Sequence, residues 1–187
     1  MAIGGALAAV SGNDARPAMT DSASETMNPM IGGQAMLPDH DIMANMTASP
    51  MHSALVAALK DSGVAGALKA NGQFTVFAPT NAALAASGNQ PKSTLARRMS
   101  YLIVPGKYDS QALLRVINES GGEARLRTAE GGVLLARMNG PTNIVLMDEK
   151  GNVADIAIYD VRDKNGIIHV VDRALEPSGP AKQMAAN

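Results

Sequence analysis

The sequence predicts an α+β domain of short helices followed by a meander of short strands, and three observations lead there. Apolar residues recur at helical spacing between about residues 38 and 118. After Gly121-Gly122 the period becomes two, with Ala124, Leu126 and Thr128 alternating against Arg125, Arg127 and Ala129. Helices grouped ahead of strands indicate α+β rather than alternating α/β organisation. Near the C-terminus, Asn165-Gly166 precedes Ile167-Ile168-His169-Val170-Val171. An Asn-Gly pair is the strongest short hairpin signal, because a type I′ turn needs positive φ at both central residues. The strand that follows is apolar on both sides, so it is expected to be buried on both faces.

The elements follow in chain order. Residues 1–36 are rich in Gly, Ala, Ser, Thr, Asn and Met, without apolar periodicity. They are expected to form a flexible arm, since such a segment cannot bury enough surface to offset its ordering entropy. Within it, Ala2 to Val10 is small and apolar with no preceding Lys or Arg, which reads as the remnant of a trimmed leader or a cloning scar. Pro38-Asp39-His40-Asp41 is expected to start a helix running through Met46, with acidic residues in its first turn. A second helix is expected over residues 53–61, with Leu55, Val56 and Leu59 as its stripe and Gly63 just past its end. Residues 64–69 add a helical turn closed by Asn71-Gly72.

Phe74 to Ala78 reads as a strand ended by Pro79, with Thr80 or Asn81 capping the next helix. Residues 94–103 read as a helix delivering Leu95, Met99 and Leu102 or Ile103 to the core. Asp109 or Ser110 caps a helix over residues 111–118. Strands are then expected at 124–129, 133–138, 143–147, 153–161 and 167–171, separated by turns rich in Gly and Asn.

Composition narrows function. Net charge is −1, aromatics make up 3% of the chain and Trp is absent. Neither a basic field for phosphate backbones nor stacking platforms for single strands are present, which sets nucleic acid aside. Cys is absent, so disulfides and thiol chemistry are excluded while the compartment stays open. No apolar run approaches the ~20 residues needed to span a bilayer. The length suits one domain, residues 37–178, with a short tail over 179–187.

Two stretches carry a family resemblance. Phe74-Thr75-Val76-Phe77-Ala78-Pro79-Thr80-Asn81 and Asn165-Gly166-Ile167-Ile168-His169-Val170-Val171-Asp172 resemble, in that order, the two signature boxes of fasciclin-like domains. Tyr101 to Gly106 and Gly122 to Val133 also fall where such domains place similar segments. The resemblance covers roughly residues 37 to 177 and implies a wedge of two β-sheets flanked by short helices. Phe74, Thr75, Phe77, Pro79, Thr80, Asn81, Asn165, Gly166, His169 and Asp172 are its structural motif. It further implies a non-enzymatic, exported, single-domain protein of the small secreted bacterial type. Such a protein is expected to be a monomer without a cofactor, adhering to a protein or polysaccharide on a cell surface, in a matrix or in a biofilm.

Three groups of residues are candidates for chemistry or contact. Catalysis has little material: three His, no Cys and no Gly-x-Ser-x-Gly elbow. His169 lies mid-strand and reads as a buried, hydrogen-bonded imidazole. For partner binding, the resemblance implies Asp160-Val161, at the position of an Asp-Ile pair implicated in receptor binding in animal members. It implies Tyr101 likewise, at the position of a Tyr-His motif, with Leu102 in place of His. For metal, His40, Met43 and Met46 fall at i, i+3 and i+6, and thioether with imidazole suits Cu(I). Carriage of that ion, or of an apolar pigment in the wedge as in some family members, is the alternative to adhesion.

Overall fold

A computed structural model describes residues 28–70, 72–88 and 91–179. Six α-helices lie among the described residues: α1 (Ile42–Ala48), α2 (Ser53–Asp61), α3 (Val64–Lys69), α4 (Asn81–Ala86), α5 (Lys92–Tyr101) and α6 (Ser110–Glu119), with a 3₁₀ turn at Pro50–His52. Two short strands, β1 (Met30–Ile31) and β2 (Gln34–Ala35), precede them. The remaining strands are β3 (Phe74–Pro79), β4 (Ile103–Pro105), β5 (Glu123–Arg127), β6 (Val133–Met138), β7 (Ile144–Met147), β8 (Val153–Asp163) and β9 (Gly166–Val171).

Polar side chains set the helix starts. Asp41 accepts from the Ala44 amide at 2.7 Å, Thr80 from Ala83 at 3.3 Å and Asp109 from Ala112 at 2.8 Å. Each satisfies one N–H group that has no partner inside its helix. Asp41 therefore stands outside α1 as its cap, and the expected start at Pro38 moves to Ile42. Gly63 does close α2, in the left-handed region at φ 77°.

Strands β3 to β9 form one sheet in the order β4-β3-β9-β8-β7-β6-β5. All neighbours are antiparallel except β3 and β9, which run parallel from Phe74↔Gly166 to Pro79↔Val171. The sheet bends at β8. Val153 to Asp155 pair with β7, whereas Ile156 to Asp163 pair with β9, with register shifts between Ile156 and Val161. Irregular residues of this kind bend and twist a strand, so the two faces of the wedge share one strand. At its open side the outer strands meet, where the Ala129 amide donates to the Ile103 carbonyl at 2.7 Å. Ile42, Leu59, Phe77, Leu113, Leu134, Val161 and Ile168 all belong to the continuous core.

The structure departs from the sequence expectation in three further places. The helix expected through Ile103 ends at Tyr101, because Ile103 and Val104 pair with Val76 and Thr75 as the short strand β4. The expected arm includes, at its C-terminal end, the β1–β2 hairpin, which buries Ile31 and leads into buried Met36. Residues 1–27, Asn71, residues 89–90 and residues 180–187 lie outside the described residues, and with them the leader remnant and most of the tail.

The third departure concerns the closing hairpin. Asp163 pairs with Gly166, so the turn is Lys164-Asn165, and neither Asn165 nor Gly166 has a positive φ. What requires glycine at 166 is close packing. A Cβ on Gly166 would lie 1.9 Å from the Phe74 carbonyl oxygen and 2.8 Å from Ile42 Cδ1.

Candidate functional site

The two motif stretches lie side by side as β3 and β9, the most deeply buried strands of the sheet. Phe77 pairs with His169 across the ladder, and their rings stack with centroids 5.6 Å apart. Tyr159 meets the same imidazole edge-on at 6.0 Å. His169 Nδ1 accepts from the Asp160 amide at 3.3 Å and Nε2 donates to the Tyr108 carbonyl at 2.8 Å. Those partners specify the neutral Nε2–H tautomer, and burial pushes the pKa of the ring below its ordinary value. His169 is thus a buried imidazole with both ring nitrogens engaged in this geometry.

The other motif residues tie elements together. Thr75 Oγ1 donates to the Gly106 carbonyl at 2.8 Å and accepts from the Tyr108 amide at 2.9 Å. The Asn81 side chain accepts from the Ala54 amide and donates to the Pro50 carbonyl, both at 2.9 Å, which joins α4 to the start of α2. Asn165 accepts from the Ile42 amide at 2.9 Å and donates to the Leu68 carbonyl at 2.6 Å. One amide thus serves the first N–H of α1 and a late carbonyl of α3. Asp172 Oδ1 accepts from the Asp155 amide at 2.8 Å. Phe74 donates its amide to the Asn165 carbonyl at 3.1 Å, and Pro79 pairs with Val171.

The residues expected to contact a partner sit inside this framework. Asp160 occupies the bulge of β8 at φ 58°, the positive-φ residue other than glycine among those described. Its Oδ1 accepts from the Ser110 amide at 2.6 Å and its Oδ2 from the Ser110 hydroxyl at 2.5 Å. The carboxylate fastens the bulge to the N-terminus of α6, where negative charge is favoured. Val161 is 0% exposed and Tyr101 is 0% exposed. The Tyr101 hydroxyl donates to the Val133 carbonyl at 2.8 Å and accepts from the Glu149 amide at 3.2 Å, while burial pushes its pKa up. Direct contact through Val161 or Tyr101 is corrected on this ground, since neither offers side-chain surface in the folded chain.

The metal candidates are also separated. His40 precedes the Asp41 cap and is exposed, so it does not share a helical face with Met43 and Met46. Met43 and Met46 are 5% and 1% exposed and belong to the core cluster. Spacing suggests one face only if the helix starts before His40.

Sequence reasoning missed several polar sites. Asp148 collects the Lys150, Asn152 and Glu176 amides and the Asn152 side chain, which pins the β7–β8 turn to the C-terminal segment. Glu176 bridges Arg98 at 2.9 Å and Lys150 at 2.7 Å. It separates a groove of about 540 Å³, lined by Ala83, Ala86, Asn152, Asp172 and Arg173, from one of about 370 Å³, lined by Thr94, Arg97 and Pro177. Charged side chains are among the lining residues of both grooves. Asp163 is buried; Oδ1 accepts from Asn45 Nδ2 and Oδ2 has no hydrogen-bond partner among the described residues. Burial pushes its carboxyl up to about 7, opposed by the Asn45 hydrogen bond. Only the Asn-Gly neighbourhood could have flagged Asp163, because its partner Asn45 lies 118 residues away.

Comparison with known proteins places this geometry. A family model described as "Fasciclin domain" matches residues 50–177. Protein sll1483 of Synechocystis sp. is 34% identical over 135 residues, covering 67% of this chain and 67% of that protein. Transforming growth factor-beta-induced protein ig-h3 of Sus scrofa is 28% identical over 125 residues, covering 67% of this chain but only 17% of its own length. The solved structure of a FAS1 domain pair from the insect cell adhesion molecule fasciclin I superimposes with a TM-score of 0.62 at 21% identity, over 74% of this chain and 51% of that one. That last likeness concerns the fold alone.

Proposed function

The chain belongs to the fasciclin domain family, and from that membership we propose that it is an exported, non-enzymatic adhesion module meeting a protein or polysaccharide on a cell surface or in a matrix. Fasciclin domains are associated with cell adhesion and matrix interaction, and proteins that contain them are commonly extracellular or secreted. No helix among the described residues is long and apolar enough to cross a membrane.

The observation that carries the reading is the use of both motif stretches as scaffold. Groups that a general acid, base or nucleophile would keep available are engaged within the fold instead: both His169 nitrogens, both Asp160 oxygens and the Tyr101 hydroxyl. A rigid frame that engages its reactive groups internally suits a surface that binds rather than transforms. We place the contact outside the Asp160–Val161 bulge for the same reason.

The test is attachment. The purified chain, coated on a plate, is expected to retain cells or matrix of its source above an albumin-coated control, and the heat-denatured chain to lose that retention. Equal retention by albumin would end the adhesion reading.

A further inference from the structure

Strands β5, β6 and β7 turn one face inward, through Ala124, Leu126, Leu134, Ala136 and Leu146. The register fixes what the opposite face presents. Arg125, Leu135, Met147 and Val153 lie in one row across the four strands, Arg127 and Val133 in the next, and Glu123, Arg137, Val145 and Asp155 in the third. Arg125 and Arg127 are exposed, and Arg137 lies flat with its guanidinium 3.0 Å from Met147 Sδ. Residues two apart on a strand stand roughly 7 Å apart, and diagonal cross-strand neighbours stand about 7–8 Å apart. Arg125 and Arg127 therefore follow one another along the edge strand β5, while Arg137 on β6 turns its guanidinium toward β7, beside a half-exposed apolar strip of Leu135, Met147 and Val153.

Arg97, Arg98, Lys150 and Arg162 each reach a carboxylate. Arg125, Arg127 and Arg137 make no salt bridge among the described residues. Glu123 and Asp155 share the row of Arg137 without an ion pair among the described residues, so with Arg125 and Arg127 the face is net positive by one charge in a chain whose net charge is −1.

From this juxtaposition we infer that the outer face of β5 to β7 is a docking strip for a linear, uronate-bearing acidic polysaccharide. The inference rests on the adhesion reading and names its contact. A guanidinium fork matches a carboxylate bidentately, and two exposed forks spaced along one strand suit charges repeated along a chain. The apolar strip gives the ring faces of the sugars a dry side. An acidic protein is less well matched: a protein partner anchors side chains in desolvated pockets, and both grooves described above lie elsewhere, against the C-terminal segment.

Binding of polygalacturonate to the full chain at about 0.15 M salt tests this, with polyglutamate and neutral dextran as the other probes. The charge reversals Arg125→Glu and Arg127→Glu together are expected to weaken polygalacturonate binding by about tenfold or more, since two charge-assisted contacts are lost. Arg125→Gln with Arg127→Gln should weaken it too, and it repeats the test without new like charges should the reversal fail to fold. Lys60→Glu with Lys69→Glu, two exposed sites on α2 and α3, should bind as the parent does. Equal losses in the helix variant, or equal affinity for polyglutamate, would overturn the inference by showing charge attraction without a site. A parent that attaches to matrix yet ignores polygalacturonate would overturn it while leaving adhesion standing.

Discussion

At the residue scale, Gly166 and Asp163 each act through what packs against them. Gly166 looks like a turn glycine, yet its need is steric: any Cβ would meet the Phe74 carbonyl oxygen at 1.9 Å, a contact with backbone that no rotamer relieves. Gly166→Ala is therefore expected to lower the melting temperature severely, as a core overpacking change that forces β3 and β9 apart, at about 1–3 kcal/mol or more. A calorimetric scan checks it; an unchanged transition would mean that the two strands do not approach so closely. Asp163 answers to burial. Its carboxyl, pushed from 3.8 to about 7 by burial with Asp41 adding to the shift and Asn45 and Lys107 opposing it, is protonated in the folded chain at pH values where the unfolded chain has already ionised. Its contribution is thus fully present below about pH 4 and is lost as pH rises through about 7. Melting temperatures of the parent are expected to fall between pH 5 and pH 8 more steeply than those of Asp163→Asn, and parallel profiles would refute the shift.

At the scale of elements, single side chains decide how helices dock. Asn165 holds the start of α1 and the end of α3 at once, so Asn165→Ala leaves a donor and an acceptor without partners. The expected loss is about 1–3 kcal/mol, measured by urea denaturation, with Asn165→Asp falling between because it keeps only the bond from Ile42. Asp160→Ala is expected to destabilise by a similar amount through Ser110 and α6; a variant of parental stability would show that the bulge does not depend on that carboxylate. These roles mark the boundary of what the sequence discloses. Local signals are legible: Asp109 as a cap, Gly63 after α2, the two-residue period of β5 and the double-sided burial of β3 and β9 are all written within a few residues. Partnerships across the chain are not. The turn sits at Lys164-Asn165 because Phe74 and Leu68 lie against it, and β4 replaces a helical turn because Val76 and Thr75 offer a ladder. Val161 and Tyr101 are buried for the same reason. Asp160 and Tyr101 look available in one dimension, and only the fold brings Ser110, Val133 and Glu149 to them.

At the scale of the whole molecule, β8 is the feature that sets cooperativity. Its 11 residues pair with β7 at one end and β9 at the other, so neither half of the wedge has a strand set of its own. The core is likewise continuous, running from Ile31 and Leu55 through Phe77 to Leu126 and Leu146. Separating the halves would open that core and unpair β8 in the middle, exposing apolar surface at roughly 25 cal/mol per Å². Partial unfolding between the two sheets is accordingly unfavourable, and one transition is expected. The chain has no Trp, so its three tyrosines supply the fluorescence, Tyr101 near β6 and Tyr108 and Tyr159 beside His169. Urea unfolding followed by that emission in Tyr101→Phe and in Tyr159→Phe, each against far-ultraviolet circular dichroism, is expected to give coincident midpoints within each variant. Midpoints that diverge between fluorescence and dichroism would show two units hinged at the Ile158–Val161 bulge. The docking strip on β5 to β7 would then move relative to the paired motif strands, instead of being held rigidly by them.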